Sequence, residues 1–144
     1  MILTVKERNL LEDLKAEELL CVTKYSKYSS EACDGELKNL FTEIGSDERK
    51  HLETLCQLLG EQTPEITVPE NTEAREYSSD CKKNDEFLCK DALSMEKYVS
   101  GAYDTDIFEF NDSNIRSTLN QIQKDEQNHG DKIYKYMSAH SMQA

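Results

Sequence analysis

The chain has 144 residues, with 17 Lys+Arg against 29 Asp+Glu for a formal net charge of −12, and 37% of it is apolar. That length points to one domain with a real core. An acidic balance without a basic stripe excludes counterion-release binding to nucleic acid and docking on anionic membranes. No run of about 18 apolar residues is present to span a bilayer.

The opening stretch Met1-Ile2-Leu3-Thr4-Val5-Lys6-Glu7 turns charged before the apolar region of a signal peptide could form, so no secretory signal is expected. From Leu3 to about Ala32, Leu10, Leu11, Leu14, Cys21, Val22, Tyr25 and Tyr28 follow a helical period. After a break at Asp34-Gly35, the period resumes through Leu37, Leu40, Phe41, Ile44, Leu52, Leu55, Leu58 and Leu59. It stops at Gly60, and the segment to about residue 83, with Pro64 and Pro69, reads as an extended connection. A third helix carries Phe87, Leu88, Ala92, Met95, Val99, Ala102 and Tyr103. Asn111-Asp112-Ser113-Asn114 then breaks the pattern and offers a cap for a fourth, which bears Ile115, Leu119, Ile122, Ile133, Tyr136 and Met137. Tyr134 and Tyr136 read as helix surface, and His140 as exposed at a frayed C-terminus. The expectation is an all-α domain over 1–144, with hairpins at about 4–59 and 84–139 joined by a linker over 60–83.

Five cysteines, Cys21, Cys33, Cys56, Cys81 and Cys89, lack any C-x-x-C pair. An odd count in a helical domain suggests five free thiols in a reducing compartment, with Cys33 and Cys81 exposed.

Sliding the chain by 78 residues superposes the two hairpins without a gap. Leu10 falls on Leu88, Glu18 on Glu96, Tyr25 on Tyr103, Asp34 on Asp112, Ile44 on Ile122 and Lys38 on Arg116. Each copy holds a Glu, 28 intervening residues, and Asp-Glu-x-x-His: Glu18 with Asp47-Glu48-Arg49-Lys50-His51, and Glu96 with Asp125-Glu126-Gln127-Asn128-His129. Residues three apart share a helix face, so Glu48 and His51 fall in the apolar stripe between Ile44 and Leu55. Glu126 and His129 do the same between Ile122 and Ile133. Glu17 is the other carboxylate in reach, but the repeat pairs it with Met95 and so favours Glu18.

Turns near Asp34 and Asp112 place the Glu, Glu and His of each copy at one depth, roughly 21–26 Å from the turn. Stacking the hairpins about a pseudo-two-fold would gather four carboxylates and two imidazoles. A single Glu-x-x-His on an acidic helix is ordinarily a solvated face; two repeat-matched copies in an apolar stripe are not. Four buried carboxylates would cost several kcal/mol each if left uncompensated, and two divalent cations would cancel their charge.

This paired pattern resembles the ferritin-like di-iron/di-manganese carboxylate bundles, in which two helices each give a Glu and two give Glu-x-x-His. The resemblance implies a four-helix bundle with a long crossover linker and two Fe or Mn ions held by Glu18, Glu48, His51, Glu96, Glu126 and His129. It also implies that Asp47 and Asp125 accept hydrogen bonds from the histidines of the opposite repeat. Tyr25 and Tyr103 face the same side, for core packing or for contact with the ligands. Within that superfamily, Leu10-Leu-Glu-Asp-Leu, Leu37-Lys-Asn-Leu-Phe41-Thr-Glu-Ile, Ser46-Asp-Glu-Arg-Lys-His51 and Asp91-Ala-Leu-Ser-Met-Glu96-Lys are similar in texture to the spore coat protein F family. That second resemblance implies a place in the mother-cell cytoplasm or the spore coat, with other coat proteins or further copies of the chain as partners. An oxidoreductase acting on oxygen or peroxide and a structural coat component are the competing readings.

Overall fold

The computed structural model of the protein describes residues 2–67 and 77–144. These form four helices, α1 (Val5–Glu31), α2 (Gly35–Leu59), α3 (Ser79–Ile107) and α4 (Ser113–Ala139), with no strand among the described residues. The all-α expectation holds. Residues 68–76 of the expected linker, Pro69 among them, lie outside the described residues.

Local chemistry sets the helix ends. Thr4 and Glu7 form a reciprocal capping box at the start of α1. At α4, Asp112 accepts from the N–H groups of Asn114 and Ile115, as the sequence suggested. Gly60 closes α2 in the left-handed region at φ 72°, where a Cβ would be strained, and the Glu61 N–H returns to the Cys56 carbonyl at 2.9 Å. The repeat-matched Lys38 and Arg116 have one task. Lys38 Nζ donates to the carbonyls of Ser29 and Ser30 in the last turn of α1, and Arg116 Nη1 to those of Phe110 and Asn111 in the α3–α4 connection, so each satisfies carbonyls just ahead of its own helix.

Within each sequence hairpin the helices pack closely, α1 on α2 and α3 on α4, while α1 also meets α3 and α2 meets α4. Cross-helix contacts run in opposite chain directions: Arg8 reaches Leu59 while Tyr25 lies by Gly45, and Lys6 pairs with Glu109 while Tyr28 bonds Asp91. Neighbouring helices are therefore antiparallel. The main core runs between them and includes Leu11, Leu14, Phe41, Ile44, Leu119 and Ile133, all within 1% of full burial.

Several expectations need correction. Helix α3 begins at Ser79 rather than near 84, because Ser78 caps it by accepting from the Cys81 N–H at 3.2 Å; the polar first turn hid this start from a search for apolar periodicity. Phe87 is not in the α3 core stripe but 67% exposed, since the buried line runs through Leu88, Ala92, Met95, Val99 and Tyr103, one residue off its direction. Tyr136 is buried, not surface: its hydroxyl donates to Asp34 at 2.6 Å. His140 is half-buried, stacked on Tyr136 with ring centroids 4.1 Å apart.

The cysteine expectation fails at one pair. Cys33 and Cys81 are buried and joined by a disulfide, leaving Cys21, Cys56 and Cys89 free. The cause is Asp85, fully buried in the second turn of α3, which accepts the N–H groups of Cys33 at 2.9 Å and Asp34 at 3.0 Å. This anchors the α1–α2 connection on α3 and brings the two Cα atoms to 5.6 Å.

Candidate metal centre

Each helix contributes its part of the centre through the spacing seen in the sequence. Helix α1 brings Glu18, α2 brings Glu48 and His51, α3 brings Glu96, and α4 brings Glu126 and His129; all six are buried. Glu17 is only half-buried, so the choice of Glu18 agrees with the direction in which the helix turns its side chains.

The six residues fall into two overlapping groups of ligand-type atoms. One is Glu18, Glu48, His51 and Glu126; the other is Glu48, Glu96, Glu126 and His129; in each, the donor atoms lie within 4.8 Å of one another. Glu48 and Glu126 belong to both, and the two imidazoles flank them with ring centroids 6.0 Å apart. Either group could hold a cation.

The surroundings orient these side chains in symmetric pairs. Tyr25 donates to Glu96 Oε1 at 2.6 Å, and Tyr103 donates to Glu18 Oε1 at 2.6 Å. His51 Nε2 pairs with Asp125 Oδ2 at 2.9 Å, and His129 Nε2 pairs with Asp47 Oδ2 at 3.1 Å. An Nε2–H donated to a carboxylate leaves Nδ1 with its lone pair turned toward the cluster. His129 Nδ1 lies 2.9 Å from Glu48 Oε1 and 3.3 Å from Glu96 Oε1, while His51 Nδ1 keeps 3.7 Å from Glu48 Oε2. The tyrosines thus do more than fill the core: each supplies a donor to a carboxylate on the other hairpin.

Eight buried polar atoms in this centre make no hydrogen bond of good geometry, although His129 Nδ1 and Glu48 Oε1 approach to 2.9 Å: Glu18 Oε2, both oxygens of Glu48, His51 Nδ1, Glu96 Oε2, both oxygens of Glu126, and His129 Nδ1. Among the described residues, no side-chain atom elsewhere shares this condition. Burial pushes the carboxyls of Glu18 and Glu126 well above the usual range, and neighbouring carboxylates add to the effect. Burial also works against the charge on Glu48, but contacts with Glu18, His129 and His51 outweigh it and hold that carboxyl low. Desolvation likewise opposes a charged His129, yet Glu48 and Glu96 push it up to about 10. Without a cation, Glu18 and Glu126 favour their protonated forms while Glu48 stays ionised against the histidines.

Sequence reasoning missed Asp85, Asp91 and Asp34 as organising acids. Asp91 accepts from Tyr28 and Lys24, Asp34 accepts from Tyr136, and Asp85 holds the first connection. An Asp on the buried side of α3, opposite a turn, was the available signal for the last of these.

Residues 84–143 match the Coat F domain family. The matched segment contains most of α3 and all of α4, with Glu96, Asp125, Glu126 and His129 of the centre. No curated protein and no solved structure matches the chain. No described helix is long and apolar enough to cross a membrane.

Proposed function

We propose that the chain is a ferritin-like bundle of the spore coat F type that binds two Fe or Mn ions between its hairpins. The carrying observation is the set of eight buried N and O atoms, converging from four helices, that face one another without a hydrogen bond of good geometry. An unpaired buried polar group costs about 1–3 kcal/mol, and a donor set of carboxylates and neutral imidazoles suits iron or manganese. Glu48 and Glu126 would be shared between the two ions, Glu18 and His51 would complete one set, and Glu96 and His129 the other. Asp47 and Asp125 would hold the imidazoles with Nδ1 inward, and the Tyr25 and Tyr103 hydroxyls would fix the terminal carboxylates. Such a pair of ions would supply redox chemistry on oxygen or peroxide.

The match of the second hairpin to the Coat F domain favours a spore coat setting and a second reading. In that reading the protein is a structural component, docked on other coat proteins or on itself, and the ions only stabilise the bundle.

Metal analysis of protein purified without chelator tests the site. About two Fe or Mn per chain are expected, lost in a Glu48→Ala/Glu126→Ala double variant. A natively folded chain that takes up neither metal overturns the reading. Fe(II) oxidation or peroxide consumption above that of the double variant supports catalysis, and equal rates leave the structural role.

A further inference from the structure

The two hairpins match at the cluster but differ beside it. In the first hairpin, Val22, Leu52 and Cys56 form a small buried apolar cluster, with Leu19 and Ile66 packed against it. This closes the α1–α2 face next to Glu18 and Glu48. Advancing by 78 residues gives the counterparts in the second: Ser100 for Val22, Gly130 for Leu52, Tyr134 for Cys56 and Lys97 for Leu19. Those four residues line a cavity of about 440 Å³ between α3 and α4, together with Leu93, with Glu96 and Glu126, and with the polar Gln127 and Asp131. Where one repeat has a plug, the other has an opening that reaches two carboxylates of the cluster.

The glycine is not required by the helix. Gly130 has no positive φ, and a Cβ built there would meet only Leu93 Cδ1, at an ordinary 3.7 Å. Its bare backbone leaves open the space that Leu52 fills in the other hairpin. Buried Leu93 and the Tyr134 ring give apolar walls, and Lys97 Nζ stands 5.6 Å over that ring at the solvent side. The volume falls in the range of small-molecule sites, about 300–1,000 Å³.

We propose that the α3–α4 cavity is a one-sided binding site for a small molecule with an apolar body and a polar end, and that the α1–α2 side is closed. Its inner end is formed by Glu96 and Glu126, so the polar end faces the cluster. This orientation rests on the metal reading above; the cavity itself does not.

Phenol is the probe, titrated into the full-length protein with leucine and valine methyls followed by NMR. A saturable shift is expected at Leu93, with Val22 and Leu52 unmoved. Gly130→Leu and Ser100→Val, which install the residues of the closed hairpin, should each weaken binding about tenfold or more. Absence of a saturable Leu93 shift overturns the proposal, as does undiminished binding in whichever of the two variants keeps its helical circular dichroism. Loading with Mn(II) separates this from the metal reading, because a nearby paramagnetic ion broadens the phenol signals. Failure to take up Mn(II) sinks the metal reading while the Leu93 result still decides the cavity. Mn(II) uptake with unbroadened phenol sinks the orientation.

Discussion

Tyr25 on α1 donates a 2.6 Å hydrogen bond to Oε1 of Glu96 on α3, two residues 71 apart in sequence and both buried. Its repeat counterpart, Tyr103 to Glu18, has the same length, so the two hairpins exchange identical bonds across the pseudo-two-fold. Tyr25→Phe or Tyr103→Phe strips a buried carboxylate oxygen of its tyrosine donor. Each should lower unfolding stability by about 1–3 kcal/mol, read from urea midpoints. Losses near zero for both would mean that the phenols only fill volume.

Asp47 and Asp125 act at one remove. Each faces the Nε2 of a histidine on the opposite hairpin and is about one-third exposed, so substitution removes charge without opening the core. If the cluster holds metal, Asp47→Asn and Asp125→Asn should weaken its retention by about 10–100-fold. Competition with a calibrated chelator measures this, alongside circular dichroism to show an intact fold. Unchanged affinity in both variants would leave these acids a purely structural role.

The Cys33–Cys81 disulfide closes a loop of 48 residues in sequence separation. On a chain-entropy account such a loop contributes about 4 kcal/mol. Reduction, or Cys33→Ser, should therefore lower the thermal midpoint clearly. Alkylation in urea should add three labels before reduction and five after it, as read by intact mass, since Cys21, Cys56 and Cys89 are the free thiols. Five labels without reductant would show the pair to be open.

Burial pushes the Cys89 thiol from 9.0 up to about 12, with the Asp85 and Glu86 charges adding to it, and Cys21 is raised further by burial and the cluster carboxylates. The folded state thus favours the protonated thiols. Their contribution is complete below pH 9, the unfolded value, and is lost as pH rises toward the folded one. Stability should fall from about pH 9 upward. At pH 8 the native protein should resist iodoacetamide, because the thiolate is the nucleophile. Rapid native labelling of Cys89 at pH 8, followed by peptide mapping, would contradict this.

The cluster was legible in the sequence because its signal is local and doubled. Glu48 and His51 sit within one turn, and the 78-residue repeat supplies a second copy that favours Glu18 over Glu17. What was hidden depends on contacts between distant segments. Cys33 and Cys81 meet where Asp85 accepts backbone N–H groups from a connection more than 50 residues away. Tyr136 falls on the apolar stripe of α4, three after Ile133, but the Asp34 that takes its hydroxyl lies 102 residues away and gives no local signal. Helix α3 began early because a serine cap and a polar first turn carry no apolar period.

The asymmetry beside the cluster has a stability consequence. Glycine inside a helix costs roughly 0.5–1 kcal/mol relative to alanine, and α4 carries that cost at Gly130 while α3 carries it at Gly101. A Cβ at Gly101 meets nothing within 4 Å, and one at Gly130 meets Leu93 at 3.7 Å, so neither helix resists the added methyl. Gly101→Ala and Gly130→Ala should each raise stability by about 0.5–1 kcal/mol, seen as a higher denaturation midpoint. The two should part in ligand binding: Gly130 lines the cavity and Gly101 does not. Phenol affinity should drop in Gly130→Ala and stay at the parent value in Gly101→Ala. A stabilised Gly130→Ala with parental phenol affinity would show that the methyl leaves the cavity as roomy as before, and destabilisation would place Gly130 among residues required by packing.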